Sequence, residues 1–290
     1  MKYMKLLSGP PGSGKSTLAL EYEARGYVYI NQDAQGKQGH LDLFLAAGKE
    51  GKDIIIDRLN FSKEQRDKYL IQARIHSYET EIIVLHQPYA ECMKRMLSRE
   101  GHPTIKDLKS ATSALNMFMS RYEKPKEGEA HKLTFLYPEG EKTKIGVIDL
   151  DGTLCDISHR RHFVQTAPGI KKNWAAFFNG IPNDKVNDWC ETIINGLRLA
   201  GVKIVFCSGR GEDRREVTQK WLNDNGFGGI ELYMRNRQDN RQDFVAKEII
   251  LDFEILTRYK PSFMIDDRKQ VVDLWRSRGF TCLQCDDGNF

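Results

Sequence analysis

Two aspartates near the middle of the chain have a spacing that suits chemistry on phosphate. Asp149 and Asp151 directly follow a short apolar run at 145–148, which predicts a buried strand. Residues i and i+2 of an extended chain point to the same side, so both carboxylates should converge where the strand ends. Gly152 lets the backbone turn sharply, and Thr153 can donate a hydrogen bond into the same space. Because Mg²⁺ prefers oxygen ligands, the pattern predicts a magnesium site in which one carboxylate attacks a phosphate.

A second set of polar residues follows the next predicted buried strand, at 203–207. Ser208, Gly209 and Arg210 come directly after it. The serine hydroxyl and the backbone that glycine leaves exposed can bind a phosphate group, and the arginine can hold the substrate. Open α/β sheets build their sites at the carboxyl ends of their strands, so this set should share a site with the two aspartates.

A lysine–aspartate pair and a second pair of carboxylates follow. Lys247 and Asp243 lie four residues apart on a predicted helix, where they form either an ordinary surface pair or an ammonium that offsets phosphate charge. Asp266 and Asp267 end a strand predicted at 262–265 and can complete the oxygen shell of Mg²⁺. The ordered set, beginning with Asp-x-Asp-Gly-Thr, resembles the haloacid-dehalogenase (HAD) phosphohydrolases.

The first part of the chain carries a phosphate-binding loop. Residues 9–16 read Gly-Pro-Pro-Gly-Ser-Gly-Lys-Ser and match G-x-x-x-x-G-K-[ST], between a strand predicted at 3–7 and a helix at 17–24. Backbone N–H groups and the helix N-terminus would hold the phosphates of ATP or GTP, with Lys15 at the β- and γ-phosphates and Ser16 at Mg²⁺. The predicted nucleotide-binding residues are Gly9, Gly12, Ser13, Gly14, Lys15, Ser16 and Thr17.

Polar residues also follow the strands predicted at 27–31 and 53–56. In P-loop kinases, a carboxylate just beyond the second strand can take the proton of an attacking hydroxyl, which predicts a general base at Asp33. A helix cap or turn is the alternative for this residue. Asp57 and Arg58 are expected to bind the acceptor. Asp57 could also bind the water shell of Mg²⁺ or cap the next helix.

A helix predicted at 91–99 carries two arginines on one face. Arg95 and Arg99 are four residues apart and stand next to Gly-His-Pro at 101–103. A planar guanidinium matches phosphate oxygens, so the pair predicts a lid over the transferred phosphoryl group. A solvated basic face is the alternative.

Basic and aromatic residues interleave between 157 and 178. Residues 157–162 read Ile-Ser-His-Arg-Arg-His, residues 171–174 read Lys-Lys-Asn-Trp, and residues 177–178 are both phenylalanine. Surfaces that hold a phosphodiester backbone and stack its bases have this composition. A packed cap with a charged rim would have it too, and the sequence favours neither.

These elements indicate two α/β domains, each a mainly parallel sheet with flanking helices. A chain of 290 residues, 40% hydrophobic and 29% charged, has room for two cores. The predicted division is 1–125, an inter-domain linker at 126–143 with charged residues, proline and glycine, and 144–290. The linker leaves room for one short strand at 133–137. The net charge of +4 allows a polyanionic partner without requiring one.

A P-loop module followed by a HAD-type module resembles the bifunctional polynucleotide kinase 3′-phosphatases of phages. The likeness spans the chain and is closest at residues 264–268, Met-Ile-Asp-Asp-Arg, and at Leu-Trp-Arg, 274–276. It implies a P-loop kinase fold, then a HAD Rossmann-like fold with a small cap. It also implies a 5′-hydroxyl kinase and 3′-phosphatase that uses ATP and Mg²⁺ on RNA or DNA ends. A downstream ligase and a homo-oligomer stay open as partners.

The resemblance also implies a role for each candidate residue. Asp33 would activate the 5′-hydroxyl, Asp149 would be the phosphorylated nucleophile, and Asp151 would be the general acid and base. Ser208, Arg210 and Lys247 would contact phosphate or nucleotide. The remaining roles are lid arginines at Arg95 and Arg99, substrate contact at Arg160, support of Lys247 by Asp243, and completion of the metal site by Asp266 and Asp267.

Two departures from this family keep other functions open. The family often has an arginine soon after the kinase base, whereas Ala-Gln-Gly-Lys follows Asp33, and the segment from there to Asp53 is short. One alternative is a small-molecule or nucleoside kinase fused to a nucleotide phosphatase. Another is a phosphatase regulated by a nucleotide-binding P-loop module.

The chain is expected to be cytoplasmic, in a host cytoplasm if a phage encodes it. It shows no signal peptide and no apolar run of membrane-spanning length, and its six cysteines are scattered. Cys282 and Cys285 form a C-x-x-C without a second pair or a histidine cluster. We interpret them as core residues on a late strand, with a metal or redox role as the alternative.

Overall fold

The chain divides into two compact units, each built on a parallel sheet. The computed structural model describes residues 1–98, 107–165, 167 and 169–288, and the units are Met1–Glu139 and Gly140–Phe290. The described residues of each unit form a five-stranded sheet in which every neighbouring pair of strands is parallel. The prediction of an α/β protein with two mainly parallel sheets and flanking helices is confirmed.

The first unit alternates strands and helices from its first residues. Its elements are β1 (Tyr3–Ser8), α1 (Lys15–Glu23), β2 (Val28–Asn31), α2 (Gln32–Gln35), α3 (Gly39–Glu50), β3 (Ile54–Asp57), α4 (Lys63–Ile75), β4 (Glu79–Leu85), α5 (Tyr89–Leu97), α6 (Leu108–Arg121) and β5 (Lys132–Leu136). The strand order is β2-β3-β1-β4-β5. The carboxyl ends of β1, β2 and β3 therefore lie side by side, and each leads into a candidate site segment.

The interior of this sheet explains the apolar run in β3. Ile54, Ile55 and Ile56 have no exposed surface, because β3 lies between β1 and β2 and helices cover the sheet. A parallel strand that is buried on both faces carries such continuous hydrophobic residues rather than an alternating pattern. Ser62 fixes the start of α4, since its side chain accepts a hydrogen bond from Gln65 N.

The structure places most of the predicted linker at 126–143 inside the first unit, and the short strand expected at 133–137 is β5. Residues of β5 pair with β4, so this stretch supplies an edge strand of the first sheet. The turn before β5 is held by Glu129, which accepts hydrogen bonds from Arg66 Nε at 2.9 Å and Nη2 at 3.2 Å. Both side chains are buried, Arg66 completely. The division between the units consequently falls at 139–140.

The second unit contains a second parallel sheet with helices on both faces. Its elements are β6 (Thr143–Ile148), β7 (Cys155–Asp156), α7 (Ser158–Arg161), α8 (Trp174–Asn179), a 3-10 turn (Ile181–Asn183), β8 (Lys185–Val186), α9 (Asp188–Leu199), β9 (Lys203–Gly211), a 3-10 turn (Glu212–Arg214), α10 (Arg215–Asp224), β10 (Glu231–Arg235), α11 (Asp243–Ile250), a π-helical turn (Leu251–Ile255), β11 (Tyr259–Asp266), α12 (Lys269–Ser277) and β12 (Cys282–Gln284). The strand order is β10-β9-β6-β11-β12.

Alternation along the central strands divides the core of this unit between the two faces of the sheet. Val147 and Val205 belong to the cluster that contains Trp275, whereas Ile148 and Phe206 belong to the cluster on the other face. Successive side chains of a strand point to opposite faces, which produces this division. The strands β6, β9 and β11 are therefore packed on both faces, which fixes the position of their carboxyl ends.

A small insertion lies between β6 and β9. It contains α7, α8 and the antiparallel pair of β7 and β8, in agreement with the predicted small cap. Cys282, the first residue of β12, belongs to the core cluster that contains Trp275, and Cys285 packs against the other cluster. Within the described ranges, neither cysteine belongs to a group that could hold a metal ion.

Among the residues that the structure describes, no helix is both long and apolar enough to cross a membrane.

The buried pair of Arg66 and Glu129 predicts a large effect on stability. Glu129→Ala leaves a fully buried guanidinium without its carboxylate, so the free energy of unfolding of the first unit should fall by about 3–5 kcal/mol. Glu127→Ala, in the same turn but exposed, should change it by less than about 0.5 kcal/mol. Native-state hydrogen exchange of the β4 and β5 amides measures both changes. Equal effects of the two substitutions would contradict the role of the buried pair.

Candidate active sites

The loop before α1 has the backbone geometry of a phosphate cradle. Gly12 and Gly14 have φ angles of +79° and +99°, a region that favours glycine. A Cβ atom on Gly12 would also lie 2.6 Å from Cys92 O, so a side chain does not fit there. Lys15 is buried and donates from Nζ to Gly9 O at 2.9 Å. The ammonium therefore lies directly inside the curve of the loop.

A cavity of about 320 Å³ joins this loop to the ends of β2 and β3. Several residues predicted for nucleotide and acceptor binding line it, namely Gly12, Gly14, Lys15, Ser16, Asp33, Asp57 and Arg58. Gly9, Ser13 and Thr17 belong to the loop or to α1 but lie outside this lining. Ser13 is buried, and its Oγ has no hydrogen-bond partner within the described ranges.

Asp33 lies in the first turn of α2 and is exposed at the cavity. Its backbone N donates to the side chain of Asn31 at 2.8 Å, as does the N of Ala34 at 3.1 Å. Asn31 is therefore the residue that caps α2, and the cap alternative for Asp33 is wrong. A carboxylate at this place can receive a proton from a hydroxyl bound in the cavity.

Asp57 is buried and held by two neighbours. It accepts hydrogen bonds from Tyr29 Oη at 2.8 Å and from Asn31 Nδ2 at 2.9 Å. Burial and the adjacent Asp57 charge raise the pKa of Tyr29 to about 12. Since Ser62 caps the next helix, capping is not the role of Asp57. Arg58 lies beside it and donates to the hydroxyl of Tyr69 at 2.8 Å.

Of the two predicted lid arginines, the structure describes one. Arg95 is half-exposed on α5 and donates from Nε to Glu91 Oε1 at 2.7 Å. A Cβ atom on Gly14 would lie 3.9 Å from Arg95 Nη1, which places the guanidinium next to the phosphate loop. Arg99 and the adjacent Gly-His-Pro lie outside the described residues.

A lysine joins two strand-end carboxylates at the centre of the second unit. Lys247 Nζ, from α11, lies 2.7 Å from Asp149 Oδ1 at the end of β6 and 2.8 Å from Asp266 Oδ2 at the end of β11. All three side chains are buried. Asp243, one helical turn before the lysine, lies 3.6 Å from Nζ. The surface-pair alternative for Asp243 and Lys247 is therefore wrong.

Burial and the neighbouring charges both shift the pKa values of this group. It raises the pKa of Asp149 above its usual range, against the lowering effect of Lys247. The pKa of Asp266 is raised in the same way. Burial lowers the pKa of Lys247, but Asp149 and Asp266 outweigh it and keep that pKa above its ordinary value. The ammonium is therefore charged at neutral pH.

Asp267 completes a group of oxygen donors that fits a divalent cation. Its two carboxylate oxygens are buried and have no hydrogen-bond partner within the described part of the chain. One ligand oxygen from each of Asp149, Asp266 and Asp267 lies within 4.8 Å of the others. Unpaired buried carboxylates are costly, and carboxylate oxygens are the ligands that Mg²⁺ prefers. Gly152 makes room for this carboxylate, because a Cβ there would lie 2.3 Å from Asp267 Oδ2.

Asp151 belongs to a separate, arginine-bound group. Its Oδ1 accepts from Arg160 Nη2 and from Arg210 Nη2, each at 2.5 Å, and its Oδ2 accepts from Arg210 Nε at 3.0 Å. Asp184 accepts from Arg160 Nε and Nη2, both at 2.6 Å, and from Arg210 Nη2 at 3.0 Å. Burial alone would raise the pKa of Asp151, but the two guanidinium charges lower it below its usual range.

This network changes the expected roles of the two arginines. Arg160 and Arg210 are completely buried, and both bind Asp151 and Asp184. That burial does not fit the direct substrate contact that was predicted for them. Asp184 is a residue that sequence reasoning missed, because a single aspartate before the short β8 has no local motif.

The last residues of β9 lie beside the lysine-centred group. Ser208 is buried, and its Oγ accepts from Arg210 N at 3.2 Å. Gly209 lines the neighbouring cavity, and a Cβ there would lie 1.9 Å from Asp243 Oδ1. Asp243 also accepts from Arg235 and Arg268, which sequence reasoning did not single out. These charges lower the pKa of Asp243 although burial would raise it.

A cavity of about 500 Å³ opens over these groups. Asp149, Asp151, Gly209 and Asp243 line it on the side of the sheet. Its other lining residues include the basic Lys172, Arg235, Arg241 and Arg268 and the aromatic Trp174, Phe177 and Phe178. An anionic group with an attached planar ring would meet complementary chemistry at both ends of this space.

Comparison with family models identifies the second unit. The model described as the phosphatase domain of polynucleotide kinase PNKP matches residues 143–290, which is half of the chain. A model described as an AAA domain matches residues 37–125. The first of these matches confirms the resemblance inferred from the sequence motifs.

Similar proteins were found among both sequences and solved structures. A transcription factor, bHLH140 of Arabidopsis thaliana, is 30% identical over 184 residues, covering 58% of the chain and 20% of the relative. A protein of Autographa californica nuclear polyhedrosis virus, named "Putative bifunctional polynucleotide kinase/RNA ligase", is 23% identical and is matched over 95% of the chain and 41% of its own length. The chain therefore spans less than half of either relative.

Among solved structures, a chain of the Pnkp1/Rnl/Hen1 RNA repair complex is 24% identical, with a TM-score of 0.43. The match covers 100% of this chain and 97% of that one. Kti12 of Chaetomium thermophilum in complex with ADP-AlF3 is 19% identical, with a TM-score of 0.35 and coverage of 46% and 88%.

Because the Asp267 carboxylate is unpaired among the described residues, Asp267→Asn is expected to stabilise the protein in the absence of magnesium and to remove the stabilisation that magnesium provides. Burial and Asp266 raise the pKa of Asp267 to about 7, far above the value near 3.9 of an unfolded chain. In the presence of a chelator, the free energy of unfolding of the wild type should therefore fall as the pH rises from about 4 through 7. The reason is that the Asp267 carboxyl group of the folded state loses its proton over this range. Asp267→Asn should remove this loss and raise the melting temperature at pH 8. The same substitution should also abolish the rise in melting temperature that Mg²⁺ gives the wild type.

Thermal unfolding at pH 5 and pH 8, with chelator and with Mg²⁺, measures these effects. The control is Asp224→Asn, which removes an exposed carboxylate of α10 and should leave the magnesium response intact. A full magnesium response in Asp267→Asn would contradict the assigned site.

Proposed function

The chain belongs, through residues 143–290, to the family of polynucleotide kinase PNKP phosphatase domains, and on this premise we propose that it heals the ends of broken nucleic-acid strands. The first unit would phosphorylate a 5′-hydroxyl with ATP, and the second would remove a 3′-phosphate. Together the two steps produce a 5′-phosphate and a 3′-hydroxyl. A ligase acting downstream requires this pair of ends, so we include it among the proposed partners.

The observation that carries this proposal is the placement of Asp149. This carboxylate lies at a strand end, 2.7 Å from a buried ammonium, in the cavity that basic and aromatic residues also line. A nucleophile beside a fixed positive charge is what the transfer of an anionic phosphoryl group requires. The aromatic and basic lining adds affinity for a nucleotide to that chemistry.

In the proposed kinase step, the strand's 5′-hydroxyl would attack the γ-phosphorus of ATP. Asp33 would take the hydroxyl proton, the new O–P bond would form in line, and ADP would leave. Lys15 and Arg95 would bind the phosphate oxygens, where positive charge stabilises the transition state. Asp57 and Arg58 would position the acceptor at the ends of β2 and β3.

In the proposed phosphatase step, Asp149 would attack the 3′-phosphate and form an aspartyl-phosphate. Asp151 would give a proton to the departing 3′-oxygen and would then accept one from the water that hydrolyses the intermediate. The arginines that lower the pKa of Asp151 oppose its protonation. A bound phosphate would counteract them, because a second negative charge nearby disfavours the carboxylate form.

A magnesium ion is proposed for each unit. Asp149, Asp266 and Asp267 would hold one in the phosphatase unit, and Ser16 would contact one that accompanies ATP. Mg²⁺ would supply neutralisation of the phosphate oxygens during transfer. Lys247, Trp275 and the backbone N of Arg268 all donate to Asp266, the last at 3.2 Å, and Lys247 also donates to Asp149.

The two units predict separable activities. An oligonucleotide with a 5′-hydroxyl and a 3′-phosphate should lose the phosphate and gain label from γ-labelled ATP. Asp149→Ala should reduce phosphate removal by at least about 1000-fold and leave labelling intact, and Asp33→Ala should reduce labelling alone. Resolving both ends of the product measures this. Loss of both activities in either folded variant would contradict the assignment of one step to each unit.

The same experiment distinguishes the other functions that the motifs allow. Phosphate removal without labelling of any oligonucleotide would leave a phosphatase that the P-loop regulates. Labelling of a nucleoside but not of an oligonucleotide would instead support a small-molecule kinase.

The close approach at Gly209 predicts a sharp loss of the phosphatase. A methyl group there would lie 1.9 Å from Asp243 Oδ1, so Gly209→Ala should displace the residue that supports Lys247. We expect a fall in kcat of about 100-fold with unchanged kinase activity. Gly196→Ala is the matched control, because this glycine of α9 has open space around it and alanine favours a helix. A similar phosphatase rate for both variants would overturn the role of Asp243.

A further inference from the structure

Burial divides the aromatic residues of the small insertion into two kinds. Phe177 is almost fully buried and belongs to the core of the second unit, and Phe178 packs against that core. Trp174, at the start of α8, keeps 41% of its surface exposed and lines the cavity that contains Asp149. The packed-cap explanation of this segment therefore accounts for Phe177 but leaves the exposed tryptophan without a reason.

The exposed tryptophan is fixed rather than loosely attached. Its ring stacks on Phe178, with centroids 5.9 Å apart and planes at 25°, and meets the edge of Phe177 at 5.8 Å and 88°. Phe177 is in turn covered by the guanidinium of Arg160, 4.1 Å from its ring centroid. The Asn173 side chain accepts from Ala176 N at 3.0 Å and holds the first turn of α8. A ring held in this way presents a preformed flat surface.

The surroundings of the ring favour a ligand that is both planar and anionic. Lys172 Nζ lies 5.7 Å from the centroid of the Trp174 ring. Arg235, Arg241 and Arg268 line the same cavity. A cavity of about 500 Å³ lies in the range that accommodates a ligand of nucleotide size. An aromatic platform with basic neighbours is the arrangement that binds single-stranded nucleic acid, because every base has a face that stacks.

We propose that Trp174 is the stacking platform for the terminal base of a single strand whose 3′-phosphate lies at Asp149. This inference rests on the proposed phosphatase function and deepens it. The base would lie against the exposed face of the indole, and the adjacent backbone phosphates would lie along the basic lining. Since stacking tolerates every base, the site would recognise an unpaired 3′-terminal nucleotide without reading its sequence.

The test compares two oligonucleotides that differ only at the 3′ end. One ends in an ordinary nucleotide 3′-phosphate and the other in an abasic sugar 3′-phosphate. The wild type should have a kcat/KM about 10-fold or more higher for the ordinary end, as expected for the stacking of one base. Trp174→Ala should bring the ratio close to one, and Trp174→Phe should keep most of it.

The matched control is Trp189→Ala. Trp189 has nearly the same exposure as Trp174, 40%, but lies on α9 and outside the cavity lining. Its removal should leave the ratio unchanged. A ratio near one in the wild type, or a full ratio in folded Trp174→Ala, would overturn the platform. If the wild type removed phosphate from neither oligonucleotide, the proposed phosphatase function would be overturned instead. Failure of the platform and failure of the phosphatase function therefore give different results.

Discussion

The charge balance of buried carboxylates is the constraint on which the second unit depends. Within the described residues, Asp151 and Asp184 are matched by the guanidinium groups of Arg160 and Arg210. Asp149 and Asp266 share the ammonium of Lys247, and the two oxygens of Asp267 have no hydrogen-bond partner among those residues. A buried charge is tolerated only when it is paired and hydrogen-bonded. The first group is therefore complete without an ion, whereas the second has an excess of negative charge that a divalent cation would correct.

The first unit meets a different requirement, because its site depends on backbone shape. The phosphate loop needs positive φ angles and close approach to α5, which glycine alone provides at Gly12. Asn31 caps α2 and also binds Asp57, so a single side chain connects the ends of β2 and β3. Asp33 is thereby placed at the cavity by a helix of one turn rather than by ion pairs.

Sequence reasoning found the groups that follow an apolar strand, because strand ends in a parallel sheet share one edge. Asp149, Ser208 and Asp266 are of this kind, and the order of the motifs indicated their family. It did not find Asp184, which contacts the site only through the folding of a short insertion. It allowed a short strand near residues 133–137 but assigned it to a linker, because proline and glycine suggested one. The pairing of this strand with β4 and the Arg66–Glu129 contact are long-range.

The small insertion connects the charge state of Asp151 with the position of the Trp174 ring. Arg160 fixes Asp151 through its Nη2 group and covers Phe177 with the same guanidinium, and Phe177 in turn supports Trp174. The position of the exposed ring is thus set by the residues that set the charge of Asp151. A change in the insertion should therefore affect both the protonation of that carboxylate and the surface offered to a base. This coupling explains why a completely buried arginine matters to a site that it does not face.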